Sequence, residues 1–169
     1  MDDTESLACG KLNTANILCL LGDIKRDGSY YERAWVESEK KSARSMRSLA
    51  RIHFYNNDFP KAIECFELSF TINKLFPNEW FTCGCAYMRQ EKYEKAIFCF
   101  GNTISINDRN HEAWGNIANC YNAQGKNVEA LACSEQALKC NRDNWRLWHN
   151  MIRFSIATRN YYKATFAIV

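Results

Sequence analysis

Nine cysteines and three histidines are the residues in this 169-residue chain best suited to metal or redox chemistry. Three of the cysteines recur at a fixed interval. Cys65 sits in KAIECF, Cys99 in KAIFCF and Cys133 in EALACS, each 34 residues after the last. Three thiolates could hold a metal only if they converged. Zinc–sulfur bonds are about 2.3 Å long, whereas equivalent atoms of stacked helical units lie roughly 10 Å apart. Cysteines that repeat with a structural unit therefore cannot share one ion and are read as an echo of the repeat, small hydrophobes beside an alanine column. Cys83 and Cys85 are two apart and face different directions on a helix, and no C-x-x-C occurs. His53, His111 and His149 fall in different copies of the repeat. G-x-S-x-G, P-loop and G-x-G-x-x-G motifs are all missing. No catalytic residue, metal site or cofactor is predicted, and the chain is not expected to be an enzyme.

Composition narrows the class further. The hydrophobic fraction is 47%, ordinary for a folded protein. The apolar stretch at Ala15–Gly22 is too short to span a membrane, and no cleavage-like segment follows it, so no signal peptide is expected. A net charge of +3 is too mild to imply nucleic acid by itself. The odd number of scattered cysteines reads as reduced thiols, which places the protein in the cytoplasm, the nucleus or both. Seven glycines and two prolines leave little room for the turns of an all-β fold, so helices are expected.

The elements that carry these residues follow from the period. Blocks of 34 residues run over Ala43–Phe76, Pro77–Asn110 and His111–Asn144, and a partial block occupies 145–169. Large apolar residues fall at Met46, Trp80, Trp114 and Trp148, then at Leu49, Cys83, Ile117 and Met151. Small residues follow at Ala50, Gly84 and Ala118, and rings or an imidazole at His53, Tyr87 and Tyr121. Alanine recurs at Ala62, Ala96, Ala130 and Ala164; Phe66 and Phe100 follow it, replaced by Ser134 and Ile168 in the later copies. These offsets are helical and form two apolar stripes per block. Asn56-Asn57-Asp58, Gln90-Glu91-Lys92 and Gln124-Gly125-Lys126 separate the stripes as tight turns. Asp58 is placed to cap a helix with Pro60 in its first turn. Each block is thus a helical hairpin, with the small residue expected to meet the alanine of the second helix and with Trp80 and Trp114 expected to be buried. Upstream, LCLLGDI supplies a first helix, and Tyr31, Ala34 and Trp35 supply its partner. Aligning Ala34 with Ala62 makes this hairpin, at 15–42, short by six residues; residues 1–14 are read as a flank.

This pattern (Trp–x2–Leu–Gly–x2–Tyr, then Ala, Phe and Ala) resembles the tetratricopeptide repeat. Pro77–Asn110 carries it as WFTCGCAY and KAIFCF, and His111–Asn144 as WGNIANCY and EALACSEQALKCN. The proline usual near the end of the unit is replaced by Lys74, Asp108 and Arg142. The resemblance implies an all-α fold, an α-solenoid of hairpins in a right-handed superhelical array. Stretches outside the consensus, SYYERAWVESEKKSARSMRSLARIHFY and QALKCNRDNWRLWHN among them, resemble the tetratricopeptide repeat protein 27 family over nearly all of residues 16–168. That resemblance implies an intracellular interaction scaffold linked to assembly of large complexes. Members are much longer, and ATFAIV ends the chain on an apolar helix with no polar cap, so the chain is expected to be a piece of a larger protein.

In such arrays the first helix of each hairpin lines a concave groove. The inward positions give Arg44, Arg47 and Arg51 in one block; Phe81 and Arg89 in the next; Asn116 and Asn119 in the third; Arg146, His149, Asn150 and Arg153 in the fourth. Arginine forks suit carboxylates, and asparagine amides can hold a peptide backbone. The partner expected is therefore an extended or acidic peptide segment of another protein, which includes chaperone-linked and complex-assembly partners, and no membrane. The five-residue clamp with which some tetratricopeptide proteins hold chaperone C-termini is incomplete here, because Phe81 and Cys85, or Gly115, stand where its Lys or Asn would be. An alternative is an RNA-processing scaffold: WRLWHNMIRFS resembles half-repeats of such proteins, and its arginines interleave with aromatics, although 19 acidic residues oppose direct RNA contact. A binding surface at the apolar end near Phe166 and Ile168 is the further option.

Overall fold

A computed structural model of the chain describes residues 3–160 and Tyr162. Among them are nine α-helices and no strand: α1 (Asp3–Lys25), α2 (Ser29–Glu37), α3 (Ala43–Tyr55), α4 (Phe59–Ile72), α5 (Pro77–Arg89), α6 (Tyr93–Ile106), α7 (His111–Ala123), α8 (Asn127–Cys140) and α9 (Trp145–Ala157). The columns at Ala164 and Ile168, and the apolar end near Phe166 and Ile168 read as an optional binding surface, lie outside the described residues. No described helix is long and apolar enough to cross a membrane. The chain divides into two compact units, Met1–Leu75 and Phe76–Val169.

Helix starts follow local chemistry. Ser42, Asp58, Asn110 and Asn144 each accept a backbone N–H of the first turn, which satisfies a donor the helix itself leaves orphaned. Pro77 opens α5, where its missing N–H is harmless. Helix ends also repeat. Asn57, Glu91, Gly125 and Arg159, all at the same position of the 34-residue unit, take left-handed backbone conformations with φ of 60°, 58°, 76° and 57°. That conformation turns the chain out of the first helix of each hairpin.

Within Met1–Leu75 the core joins Ala15, Leu18 and Cys19 of α1 with Tyr31 and Ala34 of α2 and Met46 and Leu49 of α3, and Cys65 packs against it. Helix α1 starts at Asp3, so most of the segment read as a flank is helical. The Tyr31 ring lies over Gly22; a Cβ added there would be 2.8 Å from Cζ. Tyr31 therefore occupies the ring position of its hairpin, and the alignment of Ala34 with Ala62 is out of register. Phe100 lies over Gly84 in the same way, its Cε1 2.7 Å from a Cβ added there. The small residue of the first helix thus receives the aromatic ring of the second, not its alanine.

Within Phe76–Val169, Ala118, Ala130, Leu131, Ala137, Leu138, Leu147, Met151 and Phe154 form a cluster that Trp114, Tyr121, Cys133 and Trp148 pack against. Trp80 is buried and meets Phe98 edge-on at 6.1 Å. Trp114 is only half-buried, a correction to the expectation from its column. Cys65 and Cys133 serve as packing atoms in separate clusters, and Cys99 is buried beside Cys83.

Candidate functional site

Three first helices of the Phe76–Val169 unit enclose an open groove of about 400 Å³. Helix α5 contributes Phe81; α7 contributes His111, Glu112, Gly115, Asn116 and Asn119; α9 contributes Arg146, Leu147 and Asn150. Asn144, just before α9, completes the lining. Glu112, Asn116 and Asn119 are spaced four and three apart, so one face of α7 presents all three. Arg146 and Asn150 repeat the four-residue spacing on α9.

The wall is fixed by packing behind it. Phe81 meets Phe100 at 5.5 Å and 61°, and Phe100 is itself seated on Gly84. A Cβ added at Gly115 would lie 3.4 Å from Cδ2 of the buried Leu147, so α7 and α9 approach closely at this level. Asn144 accepts the Arg146 N–H at 3.0 Å, and the His111 Nε2 lies 3.3 Å from the Asn141 amide nitrogen. The guanidinium of Arg146 sits over the exposed Trp145 ring, 5.6 Å from its centroid. Asn116, Asn119 and Asn150 are partly exposed, and their amides can both donate and accept. The groove combines these amides with one cation at Arg146 and one anion at Glu112.

Phe81, Asn116, Asn119, Arg146 and Asn150, picked out from the repeat, thus line one cleft. Arg89, His149 and Arg153 are exposed but not part of its lining, and Arg153 covers the Phe154 ring at 4.8 Å. Arg44, Arg47 and Arg51 belong to the Met1–Leu75 unit. Arg44 donates to Asp23 at 2.8 Å, and Arg51 lies 3.5 Å from the Ser48 hydroxyl. Arg47 is half-exposed. Asp23 also accepts from the Tyr31 hydroxyl at 2.6 Å. These two bonds hold its carboxyl below the usual range, the Tyr31 bond being the larger influence. Burial, reinforced by the bond to Asp23, pushes the Tyr31 phenol up to about 12. Arg44 thus ties α3 to α1 through a partly exposed ion pair. His111, Gly115, Asn144 and Leu147 line the groove without having been singled out. Asn144 carried a signal, since an Asn directly before a helix is a capping residue.

Among the described residues no cluster of three or more His, Cys, Asp or Glu could hold a metal ion. Burial pushes the thiols of Cys65, Cys85, Cys120 and Cys133 up to about 11, which suits packing better than nucleophilic chemistry.

A family model described as tetratricopeptide repeat matches residues 87–153. A tetratricopeptide repeat protein 27 homolog of Dictyostelium discoideum is 42% identical over 76 residues, which is 45% of this chain and 9% of that relative. The match thus spans about a tenth of the relative's length. The crystal structure of YrrB, described as a TPR protein with an unusual peptide-binding site, superposes with a TM-score of 0.76 at 16% identity, covering 93% of this chain and 80% of that one. The first TPR domain of Spaghetti, bound to the HSP90 peptide SRMEEVD, gives a TM-score of 0.64 at 19% identity over 69% of this chain and 93% of that one. At such identities the likeness to solved structures is one of fold. The chain is thus an array of helical hairpins that shares the fold of solved tetratricopeptide-repeat proteins, matches the tetratricopeptide-repeat model over residues 87–153, and is similar over 76 residues to a tetratricopeptide repeat protein 27 homolog.

Proposed function

We propose that the chain is a protein-interaction scaffold that takes an extended, acidic peptide segment in the α5–α7–α9 groove and serves assembly of larger complexes in the cytoplasm or nucleus. The observation that carries the reading is the convergence of Asn116, Asn119, Asn150 and Arg146 on one cleft. An extended peptide exposes backbone N–H and C=O groups in alternation, and a carboxamide satisfies one of each. Arg146 then pairs with an acidic side chain, while Glu112 repels acidic residues at its own end and so sets the peptide's direction. The peptide-binding solved relatives support this use of the fold. The lining lacks any nucleophile paired with a base, so the reading is non-enzymatic.

Fluorescence anisotropy against a library of labelled extended peptides, acidic and neutral, tests it. Asn119→Ala and Asn150→Ala should each weaken the best peptide about fivefold, since a net hydrogen bond contributes about 1 kcal/mol. Arg146→Glu should abolish preference for acidic over neutral peptides, with helicity by circular dichroism unchanged. Binding that survives all three substitutions would move the interaction site off this groove.

A further inference from the structure

The close approach of α5 and α6 at Gly84 and Phe100 has a neighbour one residue earlier on each helix. Cys83 and Cys99 are buried, 1% and 2% exposed, with their sulfurs 3.9 Å apart. The two flanking hairpins place Leu49 with Cys65, and Ile117 with Cys133, in these two columns. Only this hairpin replaces the large aliphatic residue with a second thiol. A pure packing role would favour the aliphatic side chain, because it fills more of the space between the helices.

We propose that Cys83 and Cys99 form an oxidative modification site, at which a peroxide-class oxidant closes an intramolecular disulfide that staples α5 to α6. One sulfur, as its thiolate, attacks a peroxide oxygen; the O–O bond breaks, a first water leaves, and a sulfenic acid remains. The second sulfur displaces the sulfenic oxygen, which departs with a proton as a second water, and the S–S bond forms. Two thiols lose two electrons and two protons, and hydrogen peroxide is reduced to two waters. Burial makes the reaction depend on opening of the hairpin, so it reports oxidant exposure that is sustained instead of transient. A reducing thiol pool reverses it by exchange. The staple lies one residue from the Gly84–Phe100 contact that supports Phe81, so it stiffens one wall of the groove.

The test uses the full chain treated with hydrogen peroxide, alkylated and mapped by peptide mass spectrometry, with a parallel thermal melt. The expected result is a Cys83–Cys99 linked peptide, missing in Cys83→Ala and Cys99→Ala, and a melting midpoint raised by several degrees that dithiothreitol restores. A cross-link shortens the options of the unfolded chain and so favours the folded one. Because an alanine in either place could weaken the core, Cys65→Ala and Cys133→Ala serve as controls that must retain the linked peptide. The proposal is overturned if Cys83 and Cys99 are alkylated as thiols after the other cysteines have oxidised. Links from either residue to a different cysteine, or a linked peptide with no rise in midpoint, overturn it equally.

Discussion

In the α5–α6 hairpin Phe100 lies on Gly84, and in the α1–α2 hairpin Tyr31 lies on Gly22. Both contacts are a ring filling the place of a missing Cβ. Their chemistry differs behind the ring. Phe100 is fully buried and apolar to its edge, and its hairpin spans 16 residues from glycine to ring. Tyr31 follows Gly22 by only 9 residues, and its hydroxyl must be satisfied by Asp23, which in turn takes Arg44. The shorter hairpin brings its ring to a polar edge, where α1, α2 and α3 are tied by a hydrogen bond and an ion pair. One device therefore serves two hairpins, closed by dispersion and hydrophobic burial in one and by a charged network in the other.

The largest expected effect breaks the apolar version. Phe100→Ala should cost about 3–5 kcal/mol, the range for deleting a large buried aromatic. In a repeat array each unit leans on its neighbours, so amide hydrogen exchange should show α5 and α6 losing protection first. Uniform loss of protection across all described helices at once would show instead that the hairpins do not act as separate units. Gly84→Val should cost about 1–3 kcal/mol by overpacking against the same ring.

The polar version breaks more gently. Tyr31→Phe keeps the ring on Gly22 and removes only the hydroxyl, at a cost of about 0.5–1.5 kcal/mol. The pH dependence sharpens the contrast. The phenol is pushed from 10.0 to about 12 in the folded chain, so the folded state holds this proton more tightly than the unfolded one. Its contribution is fully present below pH 10 and is lost as pH rises through 12. The stability gap between wild type and Tyr31→Phe should therefore narrow over that window in chemical denaturation. The thiols pushed up to about 11 add an alkaline loss of their own, but it is common to both proteins and cancels in the comparison. A gap independent of pH would place the hydroxyl outside the network.

The same comparison explains what the sequence could and could not tell. Helical hairpins were legible because their apolar columns recur, and the groove positions were legible because residues four and three apart on α7 must share a face. The register of the first hairpin was not, since periodicity matches alanine to alanine, whereas the ring-on-glycine contact aligns Tyr31 with Phe100. The helix face of Arg44 was readable, but its ion pair with Asp23, 21 residues away on α1, was not, because periodicity does not report side-chain partners between helices. Trp114 shares a column with Trp80 yet stays half-exposed, because burial depends on what the neighbouring hairpin brings against it.

The smallest effect concerns the turns that close the hairpins. Gln90-Glu91-Lys92 and Gln124-Gly125-Lys126 make the same turn, and the N–H groups of Lys92 and Lys126 reach back to the Tyr87 and Tyr121 carbonyls at 3.0 and 2.9 Å. Their middle residues are left-handed, at φ 58° for Glu91 and 76° for Gly125. A side chain in that region crowds its own carbonyl at roughly 1–2 kcal/mol. Glycine avoids this but loses more freedom on folding, worth about 0.5–1 kcal/mol. Glu91→Gly should therefore stabilise by up to about 1 kcal/mol, and Gly125→Ala should destabilise by a similar amount. Each would be read as a shift of the urea midpoint at constant slope. Glu91 is exposed, so little packing is lost with its side chain. A destabilised Glu91→Gly would mean that its carboxylate, at the mouth of α6 where the helix dipole favours negative charge, contributes more than the backbone strain costs. Glu91→Gln separates the two: it keeps the strain, removes the charge, and should leave the midpoint unchanged if the backbone governs.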